Sequence, residues 1–299
     1  MQTLQEMQRK IQSTKDLQSV VTTMKTLAAV SIRQYEQAAN ALKTYSVTVE
    51  MGLQALFRSH LLRFGLIARQ APAHRIGAVV FGSDQGMCGS LNEQVASHAL
   101  QRLGAFPGDR GTHRLVAVGT RVLPLLEESD YPLDRSLNVP SSVTAITPVV
   151  QELLASIETW TTEHLVDQVY VFHSEPLSGG SYRPRVVHLL PIDRIWLSKL
   201  GERKWPTKAL PIFTMNGDVL FSALVREYLF VSLFRALADS LASENASRLA
   251  AMQGAEKNIE ERLSELDAAF HQRRQMSITE ELLDIVAGFE ALETPEANA

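Results

Sequence analysis

The densest run of chemically capable residue types in the chain is Gly82-Ser83-Asp84-Gln85-Gly86-Met87-Cys88-Gly89-Ser90-Leu91-Asn92. It follows the apolar stretch Ile76–Phe81 and precedes a helical pattern, which is where a nucleotide-binding α/β fold places its phosphate loop. The glycine spacing does not match a dinucleotide fingerprint, and the lysine that precedes Ser/Thr in a P-loop is missing. A tight strand-to-helix turn that needs glycine accounts for the same residues and is the favoured reading, with Ser83, Asp84, Gly86, Cys88 and Gly89 as its structural residues. Cys88 would act as a nucleophile only beside a base, and no motif ties it to a particular histidine. A small buried thiol fits better.

The other candidates are weaker. The eight histidines are scattered without metal-ligand spacing, so no zinc and no other metal or cofactor is expected. Gly179-Gly180-Ser181-Tyr182 reads as a loop. Glu260, Glu261, Glu265 and Asp267 share a helical stretch and read as a solvated face. Arg273-Arg274-Gln275 stands out as a contact to acidic loops of a partner. Nothing assembles a catalytic site.

The elements that must position these residues follow from proline. Eleven prolines fall from Pro72 to Pro211 and the twelfth is Pro295, so both ends are free of helix breakers. At the rise of an α-helix, the two ends could run roughly 80 Å and roughly 110 Å. From Leu17 a 4-3 rhythm runs through Val21, Met24, Ala28, Ser31, Tyr35, Ala38, Leu42, Tyr45 and Val49, the seam spacing of a coiled coil. Leu4, Met7 and Ile11 continue it upstream after a slip between Thr14 and Leu17, which would overwind the coil. The C-terminal segment is apolar from Val219 to Leu241. It is then charge-rich, with seam residues Leu249, Met252, Ile259, Leu263 and Leu266, and apolar again from Ile278 to Leu292.

Each end needs an apolar partner, and the simplest is the other end, packed antiparallel. If residue 58 lies near residue 212, residue 1 reaches only to about residue 270. The remaining tip is apolar, with Leu282, Leu283, Ile285, Val286 and Phe289, and is expected inside a sleeve supplied by other subunits.

Between the ends, strands are expected at Ile76–Phe81, Arg114–Gly119, Val169–His173 and Arg185–Leu190. Helices are expected at Leu91–Leu103, after Thr120, and from Pro148 to His164, the last capped by Thr147. Leu197–Lys208 reads as a linker. The fold class is therefore α/β: a long antiparallel coiled coil of N- and C-terminal helices with an inserted Rossmann-like α/β domain and a mainly parallel sheet. The expected divisions are residues 1–58, 74–195 and 210–292.

Composition narrows the function. The hydrophobic fraction of 45% fits a folded protein, and no run nears the about eighteen apolar residues of a membrane span. The opening residues show no signal peptide, so a cytoplasmic protein is expected. A single cysteine excludes an internal disulfide. The net charge of −4 divides into +3 over residues 1–58 and −8 over residues 212–299, which suits pairing of the ends and disfavours nucleic acid.

Three separated regions resemble the gamma subunit family of the F-type ATP synthase, the central rotor shaft. They are Ile11-Gln12-Ser13-Thr14-Lys15 with Met24–Ala29, the Ser83–Asn92 turn, and Ala242–Arg248 with Ile278–Asp284 and Gly288. The resemblance implies a non-catalytic subunit that couples ion flow through a membrane c-ring to ATP synthesis or hydrolysis on catalytic beta subunits. It implies three alpha and three beta partners, an epsilon partner, and a peripheral position on the cytoplasmic face of the plasma membrane. Met24, Arg248, Arg274, Gln275, Thr279 and Glu281 match family positions that contact the alpha and beta subunits. Gln85 stands where the family has arginine and Phe289 where it has alanine, and the basic residues of the opening helix are thinned at Leu17, Ser19 and Val20; these departures point to a divergent branch, an alternative ATPase. The rival readings are a coiled-coil adaptor without a rotary role and a nucleotide-binding enzyme with coiled-coil arms. The enzyme would need a complete phosphate loop.

Overall fold

The computed structural model describes residues 3–58, 75–163, 166–177, 181–207 and 211–293. The expected boundaries at residues 74 and 210, and the Gly179-Gly180 loop, lie outside the described residues. The chain forms two compact units, residues 1–26 with 251–299, and residues 27–250. Two helices, α1 (Leu4–Arg58) and α6 (Gly217–Glu293), contribute to both.

In the larger unit the order is β1 (Ile76–Phe81), α2 (Leu91–Gly104), β2 (Arg114–Val118), α3 (Leu123–Glu127), β3 (Leu133–Leu137), α4 (Ile146–Thr162), β4 (Gln168–Pro176), β5 (Tyr182–Leu190) and α5 (Arg194–Glu202). The sheet order is β3-β2-β1-β4-β5, parallel except for the antiparallel β4–β5 pair. Strand order reverses at β1, between β2 and β4, which is the crevice where a doubly wound fold binds its ligand. The two-residue period of β1 sends Ile76, Ala78 and Val80 into one core with Val95, Ala99 and Leu103 of α2. Val79 and Phe81 face the other core, with α4, Leu53 and Leu56 of α1, and Phe221 through Ala242 of α6. Here α1 and α6 run antiparallel: Tyr45 Oη donates to Glu227 at 2.7 Å, and Gly52 abuts Leu224.

In the smaller unit, Val21 and Met24 of α1 pack with Met252, Ala255, Ile259 and Leu263 of α6, and Lys25 pairs with Glu256 at 2.5 Å.

Several expectations are corrected. The seam of α1 has no slip. Leu4, Met7, Ile11, Thr14, Gln18, Val21, Lys25, Ala28, Ile32, Tyr35, Ala39, Leu42, Ser46, Val49, Leu53 and Leu56 are all buried or half-buried, an unbroken heptad. Leu17 is 52% exposed and Tyr45 43%. Polar Thr14 and Gln18 occupy seam positions, and the larger Leu17 next to Gln18 shifts alternate positions of the expected seam by one residue; Val21, Ala28, Tyr35, Leu42 and Val49 lie on the observed stripe, and Met24, Ser31 and Ala38 are half-buried beside it. On α6, Phe270, Arg273 and Ser277 are half-buried, and residues 278–289 are exposed throughout.

A fifth strand, β3, is an edge strand whose burial is confined to its two leucines, so Leu-Asp-Arg-Ser-Leu carries little strand signature. Leu197–Lys208 is not a plain linker: α5 covers its first half because Leu197 and Leu200 reach the core. Thr147 does not cap α4. A 3-10 turn at Val143–Ala145 leads in, and Ile146, fully buried, is already helical.

Candidate functional site

The turn after β1 is held from three directions. Asp84 accepts backbone N–H bonds from Thr120 and Val139, both at 2.8 Å, tying it to the segments that follow β2 and β3. Asn92, in the first turn of α2, accepts from Ser83 N at 2.9 Å and donates to Ser83 Oγ at 2.9 Å. Gly119 (φ +115°) lies so close that a Cβ there would meet Ser83 N at 2.8 Å, which only glycine permits. Cys88 is buried at 2% exposure, its Sγ 3.4 Å from Ser83 Oγ and near Asn92 Nδ2. Met87 and Gly89 sit at positive φ (60° and 58°), which closes the turn. Gly86 has open space around it apart from Arg121.

The fourth side of the turn is α6. Ser247 Oγ donates to Cys88 O at 2.5 Å and Arg248 Nη2 to Gln85 O at 3.3 Å. Ser243 Oγ reaches Ser174 O, near the end of β4, at 3.1 Å. Arg248 is charge-paired with Glu244 at 2.6 Å, both side chains 8% exposed. Burial pushes the Glu244 carboxyl above its ordinary range, Arg248 pulls it back, and Asp84 adds to the rise. The α6 residues fill the switch-point crevice, so the ends of β1 and β4 face a helix of the same chain and not an open ligand cleft. Arg248 is therefore found with the turn, as a buried internal partner.

Sequence reasoning missed this partnership. A signal was present: Ser240, Ser243, Glu244, Ser247 and Arg248 recur at i, i+3, i+4, i+7 and i+8, the spacing of a single helical face, and all five are buried. Beside them, His173 is 2% exposed with Nδ1 3.2 Å from Ser174 O, and burial lowers its pKa to about 4.

The remaining candidates lie in the smaller unit. Met24 is half-buried against the Val21–Met252 cluster. Arg274, Gln275, Thr279 and Glu281 are exposed, and Thr279 Oγ1 donates back to Gln275 O at 2.9 Å. Leu282, Leu283, Ile285, Val286 and Phe289 are exposed by 57, 62, 57, 52 and 66%. Glu260, Glu261 and Glu265 are solvated, as the charge pattern suggested, whereas Asp267 is half-buried. Among the described residues, no group of three His, Cys, Asp or Glu side chains could hold a metal ion, and no helix is long and apolar enough to cross a membrane.

A protein-family model described as ATP synthase matches residues 3–292. Curated relatives include the ATP synthase gamma chain of Buchnera aphidicola, 23% identical with 98% of this chain and all of the relative covered. The gamma chain of a Cyanothece species is 28% identical, with the same coverage. Among solved structures, a chain of the Euglena gracilis mitochondrial ATP synthase (OSCP/F1/c-ring) matches with TM-score 0.64 at 16% identity, covering 99% of this chain and 96% of that one. A chain of the Tetrahymena thermophila mitochondrial ATP synthase (central stalk and c-ring) gives TM-score 0.55 at 19% identity, covering 79% and 99%. These likenesses carry the fold, and the family match carries the identity. The chain belongs to the ATP synthase family as a gamma subunit, the non-catalytic central-stalk rotor that couples rotation to catalysis.

Proposed function

We propose that residues 1–58 and 210–292 form an axle turning inside a ring of three alpha and three beta subunits, with residues 74–195 as a foot on the membrane c-ring and the epsilon subunit. The observation that supports this best is the end of α6. Residues 278–289 are exposed without a break, yet include Ile278, Leu282, Leu283, Ile285, Val286 and Phe289. An apolar surface of this kind marks an interaction site. Arg274, Gln275, Thr279 and Glu281, exposed just before and within this stretch, are the contacts to acidic and polar loops of the beta subunits, with Met24 on α1. Arg248, which the resemblance places among these contacts, is 6% exposed and pairs inside the chain with Glu244 and the turn.

Rotation brings different faces of the axle to each beta subunit. A face that contacts the open state better than the closed one shifts that subunit's nucleotide affinity. The complex sits at the cytoplasmic face of the plasma membrane. The chain alone is expected to show no ATP hydrolysis and to restore rotary ATPase activity to cognate alpha and beta subunits. Hydrolysis by the purified chain, or failure to assemble with alpha and beta, would refute the proposal. A coiled-coil adaptor would assemble without making hydrolysis depend on an ion gradient.

A further inference from the structure

We infer that Ser243, Ser247 and Arg248 of α6 form the torque joint of the rotor, occupying the switch-point crevice where a doubly wound fold holds its ligand. The inference rests on the rotor reading and specifies how a turning α/β domain carries α6 with it.

Most of the surface between α6 and the domain is apolar, including Leu233, Leu237, Ala238, Leu241 and Ala242. Such contact resists separation, and its interdigitated side chains hinder sliding, but the hydrophobic term itself is non-directional and does not sharply limit small rotation about the helix axis. Hydrogen bonds are directional and do resist it. The α6 side chains make two to backbone carbonyls of the domain, Ser247 to Cys88 O and Arg248 to Gln85 O, and Ser243 shares its single hydroxyl proton between Ser174 O at 3.1 Å and Asp239 O of its own helix at 2.8 Å. The acceptors sit near the carboxyl end of β4 and in the turn that follows β1, its neighbour in the sheet, with Val80 paired to Phe172. The β1 turn is itself held by Asp84 and Asn92, so its carbonyls cannot follow α6 independently of the sheet. Three donors on one helical face thus grip the rigid strand ends. Carbonyl acceptors do not titrate, and the bonds to Ser174 O and Cys88 O, being buried, are screened little by salt. Glu244 neutralises the Arg248 charge that this burial requires.

The test uses the whole complex in vesicles, with ATP hydrolysis and the ATP-driven membrane potential read in the same sample by a voltage-sensitive dye, which responds whichever cation is moved. Ser243→Ala with Ser247→Ala removes the Ser247 bond and the shared Ser243 bond and leaves Arg248 and the apolar contact in place. One full hydrogen bond and part of a second, lost together, raise the population of a slipped joint about tenfold. Hydrolysis should persist while the potential generated per ATP falls several-fold.

A Cβ built on Gly89 lies 3.2 Å from Ser247 Oγ, about the Cβ-to-sulfur reach across a disulfide, and a cysteine there would take the strained φ of +58° that Met87 (φ 60°) already adopts in the same turn. Gly89→Cys with Ser247→Cys, in a Cys88→Ser background, should therefore close under oxidation and keep the wild-type ratio of potential to hydrolysis. This pair also carries the test if the double alanine variant does not assemble. An unchanged ratio in the double alanine variant would overturn the inference, as would an oxidised cross-link that stops hydrolysis until reduced, since the joint would then have to open in each cycle. If the wild-type subunit supports no coupling at all, the rotor reading itself fails.

Discussion

Three buried ionisable residues beside the turn make different demands on the fold. Arg248 and Glu244 are charged partners in an apolar setting, so removing one strands the other. Arg248→Ala is expected to lower the unfolding free energy of the chain by about 3 kcal/mol at pH 7.5, measured by urea denaturation. The loss should shrink toward pH 5, because the Glu244 carboxyl, already raised by burial, can then protonate in the folded state. His173 is instead buried without an opposing charge strong enough to hold it protonated, and its folded pKa is about 4 against an ordinary 6.5. The unfolded chain therefore binds one more proton between these values. The contribution is fully present above pH 6.5 and falls by about 3 kcal/mol as the pH drops to 4. Burial lowers His113 and His188 as well, and they add in the same direction. In His173→Gln the urea midpoint should depend less steeply on pH than in the wild type; identical slopes would remove His173 as the cause.

At the scale of elements, the helices show how a heptad can tolerate poor seam residues. Thr14, Gln18, Lys25 and Ser46 hold half-buried seam positions in α1 because their neighbours in the same stripe are apolar and one register must serve the whole helix. In α6 the same 4-3 rhythm runs Met252, Glu256, Ile259, Leu263, Leu266, Phe270, Arg273 and Ser277. The burial difference sets the expected mutational difference. Met252→Ala, at a position 3% exposed, should cost the isolated chain about 2 kcal/mol, whereas Leu17→Ala should change its stability by less than about 0.5 kcal/mol. Equal losses at both sites would restore the slipped register that Leu17 suggested.

For the whole molecule, stability and function are expected to separate at the C-terminal tip. Side chains from Leu282 to Phe289 are exposed and contribute little to the fold of the free chain. Deleting residues 282–299 should therefore leave the unfolding free energy of the isolated chain within about 0.5 kcal/mol of the full-length value. The same deletion should reduce assembly with alpha and beta subunits or the coupling of the assembled complex. Unchanged coupling would show that the tip is dispensable to the axle. The switch-point crevice makes a similar point: a nucleotide-type fold is kept, but its ligand position is given to Ser247 and Arg248.

The amino-acid sequence by itself determined which segments are long helices, that a parallel α/β layer lies between them, and that an apolar tip is left over. Proline placement, residue periodicity and helix rise are local properties, and they survive without knowledge of neighbours. The turn was likewise legible as a structural strand-to-helix connection, since glycines and a lone cysteine without a phosphate-binding lysine leave little else. What the turn touches was not legible. Ser247 and Cys88 are 159 residues apart, and only the folded sheet brings them together. Register was decided at the same level. Leu17 and Gln18 are neighbours, and hydrophobicity alone favours the leucine for the seam. Tertiary packing seats the glutamine, because a single register must bury Met7, Val21, Ala28, Tyr35 and Val49 together.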